Sequence, residues 1–246
     1  EIASREVVIE RMRKHIHAVI GRYKGRVFAW DVVNEVIDTS APNNLRESEY
    51  LKIVGPEYIE LAFRFAHEAD PEALLFVNDY NTYEPAKRRA IYGLVRGLLD
   101  KGVPVHGIGM QMHMNIEYPP IKEVEESIKL FSSLGVVIHV TEWDMSVYTD
   151  YEAKWDSVGE SILNLQAVRY QELFNLLVKY RDVVRYVAIC GLGDDLTWLH
   201  SFFVKRIDWP LLFDEQLRPK PAFWGAVAAA CGNEDWSDAR AKYLGH

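Results

Sequence analysis

Five short apolar runs, each closing on acids, amides or a histidine, constrain this chain more than any other feature. VVIHVTEWDMS (136–146) carries β-branched residues at Val136, Val137, Ile138 and Val140 and then reaches Glu142 and Asp144. RVFAWDVVNE closes on Asn34 and Glu35, ALLFVNDYN on Asn78, Asp79 and Asn81, GIGMQMH on Gln111 and His113, and YVAICGLGDD on Asp194 and Asp195. A run this short and this β-branched reads as a strand buried on both faces, the kind found in parallel sheets covered by helices. Carboxylates at its end need water or partners.

Helical segments lie between the runs. Pro56 opens one that reaches Ala69 before Pro71, another runs from Glu84 to Lys101 ahead of Gly102, a third from Pro120 to Leu134 ahead of Gly135, and a fourth from about Asn164 to Tyr180. The chain starts in a helix, with Ser4 as cap and Val7, Val8, Met12, Ile16, Val19 and Ile20 on one stripe. Alternating strands and helices predict a parallel sheet with right-handed crossovers. Polar residues gathered at the carboxyl ends of its strands predict the active face of a (β/α) barrel of the TIM type, in one domain over residues 1–246. Such a barrel has eight strands. Only five are legible, so the expectation is that these are the last five, and that the domain is N-terminally incomplete. The open edges then invite a second copy of the chain or a complementary N-terminal fragment.

Composition narrows the partners. Of 246 residues 49% are hydrophobic, enough for a large core, and no apolar run is long enough to span a membrane. A net charge of −8 without a basic stripe argues against nucleic acid and against an anionic membrane surface. Cys190 and Cys231 match no metal-ligand spacing; reduced thiols are expected, with a single bridge as the alternative. No metal or cofactor is expected. The compartment stays open between extracellular and cytoplasmic.

Glu142 and Asp144 are two apart, so in an extended segment they share a face and Trp143 points away. Gln111 and His113 share a face by the same rule. On a neighbouring strand, His113 falls between the two acids and holds Glu142 ionised. Glu35 comes from a different strand end, among apolar and amide neighbours. Two carboxyls in such contrasting surroundings suit acid and nucleophile work on a glycosidic bond. His139, of opposite parity to Glu142, is expected to face the helix layer as a structural residue. Trp30, Trp209 and Trp224 read as packing residues. Asp194 and Asp195 stand between a solvated loop and a substrate contact.

WDVVNE (30–35), NDYN (78–81), GIGMQMH (107–113) and VTEWD (140–144) resemble the signature segments of glycoside hydrolase family 10, the retaining endo-β-1,4-xylanases. RYKGRVFAWDVVNE and the ending WPLLFDEQLRPKPAFW extend the likeness along nearly the whole chain. The resemblance implies Glu35 as general acid/base, Glu142 as nucleophile, and Asn34 as partner of the sugar 2-hydroxyl. Gln111, His113 and Asp144 would support the nucleophile, and Trp198 would wall the subsite; Tyr80 is a candidate on the leaving-group side. The implied substrates are xylan and xylo-oligosaccharides. Two alternatives stay open: another barrel glycosidase such as a cellulase, and a split or engineered piece with weak or no activity. Where the family usually has tryptophan before the glycine of its last strand, this chain has Cys190, which removes a stacking platform.

Overall fold

The computed structural model describes residues 3–232 and 235–244. Helix α1 (Arg5–Arg22) starts at Ser4, whose hydroxyl accepts from the Val7 N–H at 3.4 Å. Strand β1 (Ala29–Asn34) follows, then α2 (Glu49–Val54), α3 (Glu57–Ala69), β2 (Leu74–Asp79) and α4 (Pro85–Asp100). The chain continues through β3 (Gly107–Met110), β4 (His113–Asn115), α5 (Ile121–Ser132), β5 (Val137–Ser146), α6 (Glu160–Lys179) and β6 (Val184–Ile189). Two short 3-10 turns, Asp194–Leu196 and Trp198–His200, precede α7 (Pro221–Cys231) and α8 (Trp236–Leu244). This alternation is of the (β/α)-barrel type.

Among the described residues there are six strands, not five. The GIGMQMH run divides because Met112 sits in the left-handed region at φ 57°, which ends β3 and lets β4 restart at His113. The alternation that would put Gln111 and His113 on one face is therefore interrupted between them.

Two compact units make up the chain: one runs to Gln111 and takes in Lys129–His139, and the other holds Met112–Ile128 and the chain from Val140 onward. In the first, β1 pairs with β2 and β2 with β3, all parallel, and the register sets Asn34 opposite Asn78 and Asp79 opposite Met110. The strand ends are thus brought level at one edge. Phe76, fully buried, packs over Gly107, where a Cβ would lie 1.9 Å from the ring. His139 stacks on the same Phe76 ring at 4.1 Å. Phe76 and Asn78 are two apart, so His139 lies on the sheet face that carries Asn78 rather than in the helix layer.

In the second unit β4 and β5 are parallel, with His113 in register with Asp144. Trp143 is fully buried on the other face of β5, against Tyr170 at 4.8 Å and Phe174 at 4.7 Å, both on α6. Helices α6 and α7 approach so closely at Gly225 that a Cβ there would lie 2.3 Å from the Ala167 carbonyl oxygen. Trp209 and Trp224 are buried, and Cys190 and Cys231 are not joined to each other in a disulfide.

Candidate active site

In the first unit the functional side chains converge on Glu35, the residue after β1. Its backbone is left-handed at φ 56°, an uncommon state for a non-glycine residue, and its N–H donates to the Asn78 carbonyl at 2.8 Å. Both carboxylate oxygens are engaged: Gln111 Nε2 donates to Oε1 at 3.2 Å and Arg46 Nη1 to Oε2 at 2.8 Å. Asn34 Oδ1 accepts from Asn78 Nδ2 at 2.9 Å and from Gln111 Nε2 at 3.2 Å. With its carbonyl committed twice, Asn34 has its amide nitrogen left as the donor for a ligand. Glu35 is one wall of a cavity of about 300 Å³ that also touches Asn34, Arg46, Ser48 and Tyr50.

Behind this cluster is a buried ion pair. Lys87 Nζ lies 2.7 Å from Asp79 Oδ1 and donates to the Ile37 carbonyl at 2.8 Å. Asp79 accepts from the backbone N–H of Ile37 at 3.1 Å and of Tyr80 at 3.0 Å. Burial pushes the Asp79 carboxyl above its usual range, and Lys87 acts against that rise. The pair fixes the two segments leaving β1 and β2, and hence Tyr80, whose ring lies 4.0 Å from the Lys87 ammonium.

In the second unit His113 is held from two sides. Nδ1 lies 3.0 Å from Asp144 Oδ2 and Nε2 lies 3.4 Å from Glu142 Oε2. Burial alone would lower its pKa, but the hydrogen bonds to Asp144 and Glu142 prevail and carry it to about 9, so it is a cation at neutral pH. Trp198 Nε1 donates to Asp144 Oδ2 at 2.7 Å, and the Trp198 ring meets His113 edge-on at 5.0 Å. Phe202 extends the aromatic surface at 4.8 Å from Trp198. Cys190 donates its N–H to the Trp143 carbonyl at 2.9 Å. Its thiol is pushed up to about 11 by burial and then by the charges of Asp144 and Glu142, which leaves it protonated and unreactive.

Several readings change. Gln111 donates to Asn34 and Glu35, so its described contacts support the carboxylate that follows β1. Glu35 is not confined to apolar and amide neighbours, because Arg46 bonds it directly. Arg46 was invisible as a site residue: it lies in a loop without periodicity, with no signal that the loop folds back. Asp194 is neither solvated nor free for substrate: it is buried, 2.8 Å from the buried Lys220, and accepts from the Leu211 N–H at 2.8 Å. Among the described residues no cluster of His, Cys, Asp or Glu is arranged to hold a metal ion, and no helix is long and apolar enough to cross a membrane.

Parallel strands that bring carboxylates and amides to their carboxyl ends define a (β/α)-barrel enzyme. Comparison with known proteins gives the particular family: the model of glycosyl hydrolase family 10 matches residues 1–229. The chain belongs to glycosyl hydrolase family 10. An endo-1,4-beta-xylanase of Geobacillus stearothermophilus is 48% identical over 226 residues, covering 91% of this chain and 68% of the relative. A thermostable celloxylanase of Thermoclostridium stercorarium is 47% identical over 91% of this chain and 59% of its own length. A crystal structure of a xylanase from Paenibacillus barcinonensis, complexed with a conduramine derivative, superposes with a TM-score of 0.87 at 45% identity, covering 92% of this chain and 69% of that one.

Proposed function

We propose that this glycoside hydrolase is a retaining endo-1,4-β-xylanase that cuts internal β-1,4 bonds of xylan by double displacement. Glu142 is the nucleophile and Glu35 the general acid/base. The observation that carries this reading is the placement of His113 between Glu142 and Asp144: as an imidazolium it favours the charged form of the one carboxylate that must attack as an anion.

In the first step Glu142 attacks the anomeric carbon, its C–O bond to the leaving sugar breaks, and Glu35 gives its proton to the departing oxygen. A glycosyl ester on Glu142 results. In the second step Glu35, now a carboxylate, takes a proton from water as that water attacks the anomeric carbon and releases Glu142. Asn34 offers its amide nitrogen to the sugar 2-hydroxyl, His113 and Asp144 support the nucleophile, and Trp198 presents an aromatic surface to the sugar. Tyr80 and Gln111 flank the leaving-group side and the acid.

Relatives named xylanase and celloxylanase make the substrate test specific. Purified full-length enzyme is given xylan and cellulose, and the first products are followed by proton NMR. Fast release of β-configured xylo-oligosaccharides with slow or no release from cellulose is expected. An α-configured first product, or preference for cellulose, would overturn the reading.

A further inference from the structure

Arg46 is brought to Glu35 by a loop with no helix or strand of its own. After β1 the chain runs through Ile37, turns with Asn44 left-handed at φ 56°, and returns as Leu45 bridges antiparallel to Ile37. Ile37 and Leu45 are both buried, which anchors the return. The Arg46 N–H then donates to the Val36 carbonyl at 2.8 Å. Its guanidinium divides between Glu35 Oε2 at 2.8 Å and Tyr80 Oη at 2.9 Å. A half-exposed ion pair contributes little to folding stability. Its two-pronged geometry does fix where Glu35 points.

The contacts describe a carboxylate, since both oxygens only accept. To act as an acid, Glu35 must carry a proton on one of them. Oε1 faces an N–H of Gln111, and turning that amide would break its donation to Asn34, whose carbonyl also accepts from Asn78. Oε2 is left, and there the proton displaces the Arg46 N–H.

Granted Glu35 as the acid/base, we infer that Arg46 is a positioning residue for the second half-reaction. Bonded to Oε2, it holds Glu35 as the base that receives a proton from the attacking water. When the proton returns to Oε2, Arg46 lets go of Glu35 and stays attached to Tyr80. Removal of Arg46 therefore slows hydrolysis of the glycosyl ester and spares its formation.

The test is stopped-flow kinetics of the full-length enzyme with 2,4-dinitrophenyl β-xylobioside, whose leaving group departs without a proton. Arg46→Gln should keep the rate of the dinitrophenolate burst and lower the steady rate after it by about tenfold, with KM falling in parallel. Arg46→Lys should recover part of the steady rate, because a single ammonium meets Glu35 but not both partners. Tyr80→Phe, which removes only the outer anchor, should fall in between. A loss shared equally by burst and steady rate, or no loss in either, would overturn the role of Arg46. Glu35→Ala separates the two levels: if it leaves the steady rate intact, the assignment of Glu35 itself is wrong.

Discussion

His113 and Asp144 are joined twice, by their register across β4 and β5 and by a 3.0 Å contact from Nδ1 to Oδ2. An imidazole whose pKa rises from 6.5 to about 9 on folding adds stability that is complete below pH 6.5 and lost as pH climbs to 9. Replacing His113 with Asn should therefore cost on the order of 2–3 kcal/mol near pH 6. The gap to wild type should shrink toward pH 9. Thermal unfolding of both proteins across this range is the check; a gap independent of pH would mean that the charge contributes nothing.

His139 works in the opposite sense. Burial beside Phe76 lowers its pKa from 6.5 to about 4, so the unfolded chain takes up the proton first as pH falls. Stability should drop by roughly 2–3 kcal/mol between pH 6.5 and 4 on this account alone. A His139→Phe variant should lose that acid sensitivity, as read from urea midpoints at pH 4.5 and 7. Equal midpoint shifts in variant and wild type would contradict it.

Lys87 is expected to matter for the fold as well as for the loops at the site. Lys87→Met leaves Asp79 buried with no cation and should cost about 3–5 kcal/mol in urea unfolding. A double variant, Lys87→Met with Asp79→Leu, should regain a large part of that loss. No recovery would show that the pair does not act as a unit.

The strand ends were legible because burial demands β-branched runs and chemistry demands polar residues, and the two meet at Asn34–Glu35, Asn78–Asp79 and Glu142–Asp144. Trp143 followed from the alternation of Glu142, Trp143 and Asp144 along the end of β5. Alternation failed at Met112, where a non-glycine residue takes a left-handed conformation that no local residue type signals. It failed again at His139, whose spacing of four from Trp143 predicts the helix layer and whose ring instead stacks on Phe76. Arg46 and the Asp194–Lys220 pair depend on chain reversals, where spacing along the sequence carries no information about contact.

Cys190 follows β6, where its thiol feels the charges of Glu142 and Asp144. A thiol cannot stack on a pyranose ring as an indole does. Cys190→Trp should raise kcat/KM on xylo-oligosaccharides about fivefold, corresponding to roughly 1 kcal/mol of stacking. Steady-state kinetics of both proteins, with circular dichroism to confirm equal folding, is the check. Equal or poorer kcat/KM would mean that this position does not meet sugar.

On the proposed mechanism Glu142 bonds covalently to the sugar. Full-length enzyme incubated with a 2-deoxy-2-fluoro-xylobioside bearing a dinitrophenyl leaving group forms the ester but hydrolyses it slowly, so the intermediate accumulates. Intact-mass spectrometry followed by peptide mapping should find one glycosyl group per chain, on the peptide that contains Glu142. An adduct on Glu35 or elsewhere, or turnover of xylan with no adduct at all, would contradict the account.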